Sequence, residues 1–257
     1  VSYQVRVLGA ICRRTWLKTF RYPVALSFSF VQPLVWLVFF GFLFRRYEVG
    51  EFSRQARYLD FLLPGTCAMT VLFGASQSGV GLIRDIQTGF FKRLLASPAD
   101  PMLVLGGKLF ADVTRLLAQA LVVLLVGVVL GAKVHLSLDA LLACLAALAL
   151  LGTAFSAVSC VVAMTTRAQE SMGAFVQLVN MPLLFTSSAL VPVRHMPDWL
   201  APLGRANPLT LAVDSCREAL LVGGFSRLPS AAAWLGLAAA LGLALAYAAG
   251  QKLIRET

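Results

Sequence analysis

Long apolar runs separated by short polar connections make up most of the chain, and the amino end is the exception. Over residues 1–21, Val5, Leu8, Ile11, Cys12, Leu17 and Phe20 interleave with Arg6, Arg13, Arg14, Lys18 and Arg21 at helical spacing. A segment so broken by charge does not span a bilayer. It predicts a helix lying in the interface with its basic face toward lipid phosphates. A cleaved signal peptide would place one basic stretch before one continuous apolar core, and this segment mixes the two.

Six runs follow, at about 22–44, 58–83, 102–131, 138–165, 172–191 and 231–253. Each is near the roughly 20 residues that a hydrocarbon core requires. Pro23 falls in the first turn of the first run, and Pro33 lies mid-span, where a kink is expected. The second run carries Gly65, Gly74, Ser76, Ser78 and Gly79, small residues that permit close helix contact in lipid. The third is purely apolar only from Leu116 to Leu130, because Lys108, Asp112 and Arg115 occupy its first half. The fifth contains Gln177, Asn180 and Pro182. The short alternating strands of an outer-membrane barrel are not seen. The predicted fold is an all-α polytopic membrane protein, one domain over 1–257. It has six transmembrane helices, an interfacial amino-terminal helix and short re-entrant helices between spans five and six.

Two connections hold pattern of their own. In 84–101, residues Thr88–Leu95 predict a short amphipathic helix bounded by Pro98 and Pro101. Its paired aromatics and leucines suit a partner's groove and interfacial anchoring equally. In 192–230, Met196–Leu203 and Pro208–Leu221 predict two short helices, the second capped by Asn207. A re-entrant pair and an outer loop packed on the bundle both fit.

Composition narrows the class. Of 257 residues, 59% are hydrophobic and 13% charged, which excludes a soluble globular domain and a disordered chain. The net charge of +10 is scattered between apolar spans rather than gathered on one polar face, so nucleic acid is not the partner. With both termini in the cytoplasm, 13 of the 22 basic residues fall inside, giving +8 within and +2 outside.

The chain carries little chemistry of its own. Cys12, Cys67, Cys144, Cys160 and Cys216 form no CxxC pair, and His135 and His195 stand far apart, so no metal centre is expected. The nearest approach to a phosphate loop, Gly106-Gly107-Lys108-Leu109, lacks a glycine at Met102 and a hydroxyl after the lysine. No cofactor is expected in this chain, and no nucleophile–base pair marks an enzyme. Asp112 lies one helical turn from both Lys108 and Arg115, which reads as a local ion-pair ladder rather than a proton relay.

Arg84–Pro98, Leu190-Val191-Pro192 through Met196-Pro197-Asp198-Trp199-Leu200, and Asn207-Pro208-Leu209-Thr210 with Asp214 and Arg217 resemble type-2 ABC exporter permeases. These are the membrane subunits of daunorubicin-resistance, nodulation-factor and polysaccharide exporters, and the similarity covers essentially the whole chain. The resemblance implies a coupling helix, with Thr88, Gly89, Phe90, Phe91, Arg93 and Leu94 docking on a separate ATP-binding subunit that holds ATP and Mg. It implies a dimer of permease subunits, either two copies or a paralogue pair, in the bacterial inner membrane. The path would run along the first, second and fifth spans, with Gln32, Ser76, Gln177 and Asn180 as polar candidates. For Gln32 and Ser76, interhelical hydrogen bonding is the stronger reading. Asn207, Pro208, Asp214 and Arg217 would belong to the outer gate. The cargo expected of a path without a charge ring is hydrophobic or amphipathic, a drug or lipid. A non-transporting membrane scaffold is the alternative, and a proton-coupled carrier is disfavoured by the bare spans.

Overall fold

The computed structural model describes residues 2–21, 23–44, 57–89 and 101–255, and the regular elements among them are helices. They are α1 (Ser2–Arg21), α2 (Pro23–Leu43), α3 (Tyr58–Ser76), α4 (Ser78–Gln87), α5 (Pro101–Val129), α6 (Leu138–Thr166) and α7 (Gln169–Phe185). A 3-10 turn (Val193–His195) and α8 (Ala201–Ala206), α9 (Pro208–Val222) and α10 (Leu228–Arg255) complete them. Among the described residues four stretches are long and apolar enough to cross a bilayer: Tyr58–Gln87, Leu103–Val129, Leu138–Thr166 and Leu228–Lys252, with Val31–Leu43 a shorter apolar helix. The protein is thus an all-helical polytopic membrane protein, as the apolar pattern predicts. α2 continues through Pro33.

α3 is apolar around its whole circumference, and a helix of that kind belongs in the interior. Phe61, Leu62, Leu63, Ala68, Val71, Leu72 and Ala75 are all buried, packed among α2, α5, α6 and α9. Glycines set the spacing where backbones meet. A Cβ on Gly65 would lie 2.5 Å from the Ala189 carbonyl oxygen. A second cluster forms at the other end of the bundle from Leu82, Ile83, Leu105, Leu109, Ala157, Cys160, Met172 and Ala246.

α6 and α10 lie side by side and run in the same direction. Ala231 and Leu235 share the first cluster with Ala140 and Ala143, while Ala246 joins Ala157 in the second. The fit is close, since a Cβ on Gly242 would stand 3.2 Å from both Ala154 O and Ala157 Cβ.

Long-range hydrogen bonds sort the connections into two ends. At one end Tyr58 Oη donates to Leu190 O (3.0 Å), Lys133 N to Asp60 Oδ1 (2.7 Å) and His135 N to Leu220 O (2.6 Å). At the other, Arg14 pairs with Asp85 (2.8 Å) and Gln169 Nε2 donates to Gln87 Oε1 (3.4 Å). This is the alternation that successive crossings produce.

Three sequence expectations are corrected. The fifth span, expected at 172–191, is the 17-residue α7, Gln169–Phe185, about 25 Å long. It stops early because side chains take its last carbonyls: Asn207 Nδ2 donates to Leu183 O and Thr186 Oγ1 to Pro182 O. The helix expected at Met196–Leu203 is a turn over residues 198–200 followed by α8, after the 3-10 turn at Val193–His195. Pro197 holds Met196 extended (φ −79°, ψ 148°), which breaks any continuous helix there. Thr88 and Gly89, expected to open the coupling helix, instead close α4. Thr88 is its C-cap, and Gly89 takes φ +69°, the left-handed step that ends helices.

Candidate functional site

α9 carries a dense polar cluster, and Asn207 starts it. Its Oδ1 accepts from Leu209 N (2.8 Å), the cap that the sequence predicts, and Pro208 follows in the first turn. Asn207 Nδ2 donates to Leu183 O (2.7 Å) and Thr186 Oγ1 (2.9 Å). One cap residue therefore opens α9 and terminates α7. Steps of three, four and three residues bring Thr210, Asp214 and Arg217 onto the same face. Thr210 Oγ1 accepts from Ser188 N (3.0 Å). Asp214 Oδ1 accepts from Ser188 Oγ (2.7 Å) and Arg217 Nη1 (3.1 Å), and its Oδ2 accepts from Arg227 Nη1 (3.1 Å).

Arg217 is 1% exposed. Its Nε donates to Phe61 O (3.2 Å) and its Nη2 to Ser188 O (3.0 Å), and Cζ stands 3.6 Å from the Phe61 ring centroid. The neighbouring carboxylate and the two carbonyls offset the cost of burying this charge. The ring beneath it ends an aromatic series, Trp36, Phe40, Phe44, Tyr58 and Phe61, with successive centroids 5.0–6.0 Å apart. A cation therefore joins α9 to both α2 and α3.

Asp60 and Glu218 flank this cluster. Asp60, buried in the first turn of α3, accepts from Arg57 N (3.0 Å) and Lys133 N (2.7 Å). Glu218 accepts from Ser226 Oγ and N and from Arg227 N. Burial alone would raise its carboxyl, but these hydrogen bonds and the Arg227 charge hold it below its ordinary value.

The four path candidates divide into two pairs. Ser76 Oγ donates to Asn180 Oδ1 (2.9 Å), and both residues are buried where α3 meets α7. Gln32 and Gln177 are exposed on α2 and α7. Beside Ser76 the long span is interrupted at Gln77. There Lys108 pairs with Asp112 (2.6 Å), the i,i+4 step of the expected ladder, and Ser78 Oγ also donates to Asp112. Arg115 Nη1 donates to Gln119 Oε1 (3.3 Å).

Of the coupling residues, Thr88 and Gly89 stand at the end of α4, and Phe90, Phe91, Arg93 and Leu94 lie outside the described residues. Cys67, Cys144, Cys160 and Cys216 are buried free thiols. Among the described residues no group of three or more His, Cys, Asp or Glu side chains is set to hold a metal. The sequence pattern does not single out Asp60, Phe61, Ser159 and Ser188, and it marks Ser78 only as a small residue for close helix contact. Small hydroxyls inside apolar runs were the signal available for the three serines.

The family model for ABC-2 type transporters matches residues 6–221, from α1 through α9. This chain belongs to the ABC-2 type transporter family. A putative transport permease, ycf38, of Porphyra purpurea is 31% identical over 219 residues, 84% of this chain and 75% of that protein. Its counterpart in Cyanophora paradoxa is 30% identical over 83% of this chain and 73% of its own length. The daunorubicin resistance ABC transporter permease protein DrrB1 of Streptomyces coeruleorubidus is 28% identical over 77% of this chain and 69% of its own. These relatives are permeases, and the ABC-2 family implies an ABC ATP-binding partner. The matched stretch takes in Asn207, Thr210, Asp214 and Arg217 of the α9 cluster, as well as the interrupted span.

Proposed function

We propose that this ABC-2 permease is the membrane subunit of an ATP-driven exporter that moves a hydrophobic or amphipathic cargo out of the cytoplasm. The observation that carries the reading is the family match over residues 6–221 on a chain with no phosphate-binding loop. Energy comes from a separate ATP-binding subunit, which holds ATP and Mg. Two permease subunits form the path in a bacterial inner membrane, with both termini cytoplasmic. The end bearing Arg14 and Asp85 then faces the ATP-binding subunit, and the α9 cluster is the outer gate.

The uncovered faces of α2 and α7 suit a second permease subunit. Val31, Val35 and Phe39 are exposed on α2 with Gln32, and Leu178 and Phe185 on α7 with Gln177. Both helices pack on α3, so the two glutamines can line a path between subunits while Ser76 and Asn180 support it from behind. The family names that supply a cargo class are those of daunorubicin and doxorubicin resistance permeases. Asp60, Asp85 and Asp112 all hold partners, which favours ATP over a proton gradient as the energy source.

The test is reconstitution with an ABC ATP-binding subunit in vesicles. ATP-dependent movement of daunorubicin or a fluorescent phospholipid is expected. Movement without ATP that an uncoupler abolishes overturns the reading in favour of a carrier. Stable assembly with no movement of either probe overturns it in favour of a scaffold.

A further inference from the structure

The span that reads as one apolar run is two helices in the structure. α3 ends at Ser76 and α4 starts at Ser78, with Gln77 between them at φ −77°, ψ −10°. No proline lies at the break, although proline is the usual cause of one. Its neighbours account for it. In an unbroken helix Ser76 O accepts from residue 80. Here it accepts from Ser159 Oγ of α6 at 2.6 Å. The same hydroxyl oxygen accepts from Gly79 N at 3.0 Å, one of the first N–H groups of α4, which lack partners in their own helix. From α5, Lys108 Nζ donates to Ser78 O (3.2 Å) while paired with Asp112, which also accepts from Ser78 Oγ. Gly79 leaves the room this needs: a Cβ there would sit 2.6 Å from Ser159 Oγ and 2.7 Å from Met172 Cε.

An unmet backbone group is costly inside an apolar span. An element of this kind can rest in two arrangements, one bridged from neighbouring helices and one closed on its own ladder. In the one seen, Ser159 and Lys108 hold it. In the other, the main chain closes its own ladder, α3 runs straight into α4, and Ser159 turns back to a carbonyl of its own helix. Geometries between the two would lose both sets of bonds, and such an element switches rather than bending by degrees. α4 has ten residues. At about 1.5 Å each, a turn at Gln77 is magnified at its far end. That end is tied to α1 through Arg14 and Asp85 and closes at Gly89, next to the expected docking segment.

We propose that Ser159 bridging Ser76 and Gly79, together with Lys108 and Asp112 on Ser78, forms a latch on the α3–α4 break. Its opening carries movement at the ATP-subunit end into the buried core. Ser78, Lys108, Asp112 and Ser159 are positioning residues. The latch itself stands on the geometry, and its role in transport rests on the exporter reading above.

The test uses the full chain with its ATP-binding subunit in vesicles, with daunorubicin as the cargo probe. Nitroxides on Gln87→Cys and Thr165→Cys, in a Cys12→Ser background, report α4 against α6. The native latch should give one distance population without nucleotide and a second after ATP with vanadate. Ser159→Ala combined with Asp112→Asn should show both populations before nucleotide is added. It should keep hydrolysing ATP while daunorubicin moved per ATP falls about tenfold. Where the double variant does not fold, Ser159→Ala alone carries the same reading. An unchanged single population with native transport per ATP overturns the latch. A native complex that neither hydrolyses ATP nor moves daunorubicin defeats the exporter reading instead, and the distances without nucleotide still decide the latch.

Discussion

Arg217 sets its guanidinium over the ring of Phe61, 156 residues earlier in the chain, and donates to the Phe61 carbonyl from the same side chain. Ring and carbonyl together position the arginine, while Asp214 balances its charge. Removing the side chain takes a donor from both Phe61 O and Ser188 O and leaves Asp214 without its buried cation. Arg217→Met should destabilise the protein by about 3 kcal/mol or more. Arg217→Lys should recover only part of this, because an ammonium lacks the planar fork and stacks poorly. Unfolding midpoints in detergent check both.

Asn207 offers a test in which two roles give opposite answers. As an N-cap, aspartate serves as well as asparagine, so Asn207→Asp would be silent if capping were all. The structure shows Nδ2 donating to Leu183 O and Thr186 Oγ1, and a carboxylate would face that carbonyl with an acceptor. Asn207→Asp should therefore cost at least as much as Asn207→Ala, about 1–2 kcal/mol. The same melts decide it.

Two glycines should respond in opposite directions to alanine. At Gly65 a Cβ would meet the backbone of Ala189 at 2.5–3.2 Å, and backbone cannot swing aside. Gly65→Ala should cost about 1–3 kcal/mol. At Gly236 of α10 nothing lies within 4 Å, so alanine there should gain up to about 1 kcal/mol of helix preference.

Glu218 predicts a pH effect. Burial would raise its pKa, but the Ser226 and Arg227 hydrogen bonds win and lower it below the ordinary 4.5. A carboxylate with a lowered pKa stabilises the fold above its unfolded value and loses that contribution as pH falls through the folded value. Glu218→Gln should flatten the decline in stability below about pH 4.5 and leave its slope near neutrality unchanged. Thermal melts across pH 3–7 measure this.

Phe90→Ala with Phe91→Ala should abolish export and cargo-stimulated ATP hydrolysis while leaving the melting midpoint near native. Unchanged export in that variant would sink their assignment to coupling.

The apolar spans were largely legible because local periodicity encodes them. α6 falls within a residue of its expected limits, and α9 appears with its Asn207 cap. Lys108 and Asp112 pair as their four-residue spacing requires. What stayed hidden lies in contacts between distant residues. Ser76 meets Asn180 across 104 positions and Lys133 meets Asp60 across 73, and no local rule joins such pairs. The break at Gln77 was hidden for the same reason, since its partners Ser159 and Lys108 belong to other helices. The end of α7 is not legible locally because the residue that stops it, Asn207, comes some twenty positions later.

The parallel pairing of α6 and α10 constrains how the chain is made. A ribosome delivers α6 well before its partner, with 61 residues from Arg167 to Arg227 still to follow. Until α10 emerges, the Ala154–Ala157 surface lacks the Gly242 backbone that packs against it. α7, α8 and α9 are therefore made before α10 can close over that surface. Chains stalled before Leu228 should thus be recognised as unfinished by membrane quality control, although they already contain the complete α9 cluster.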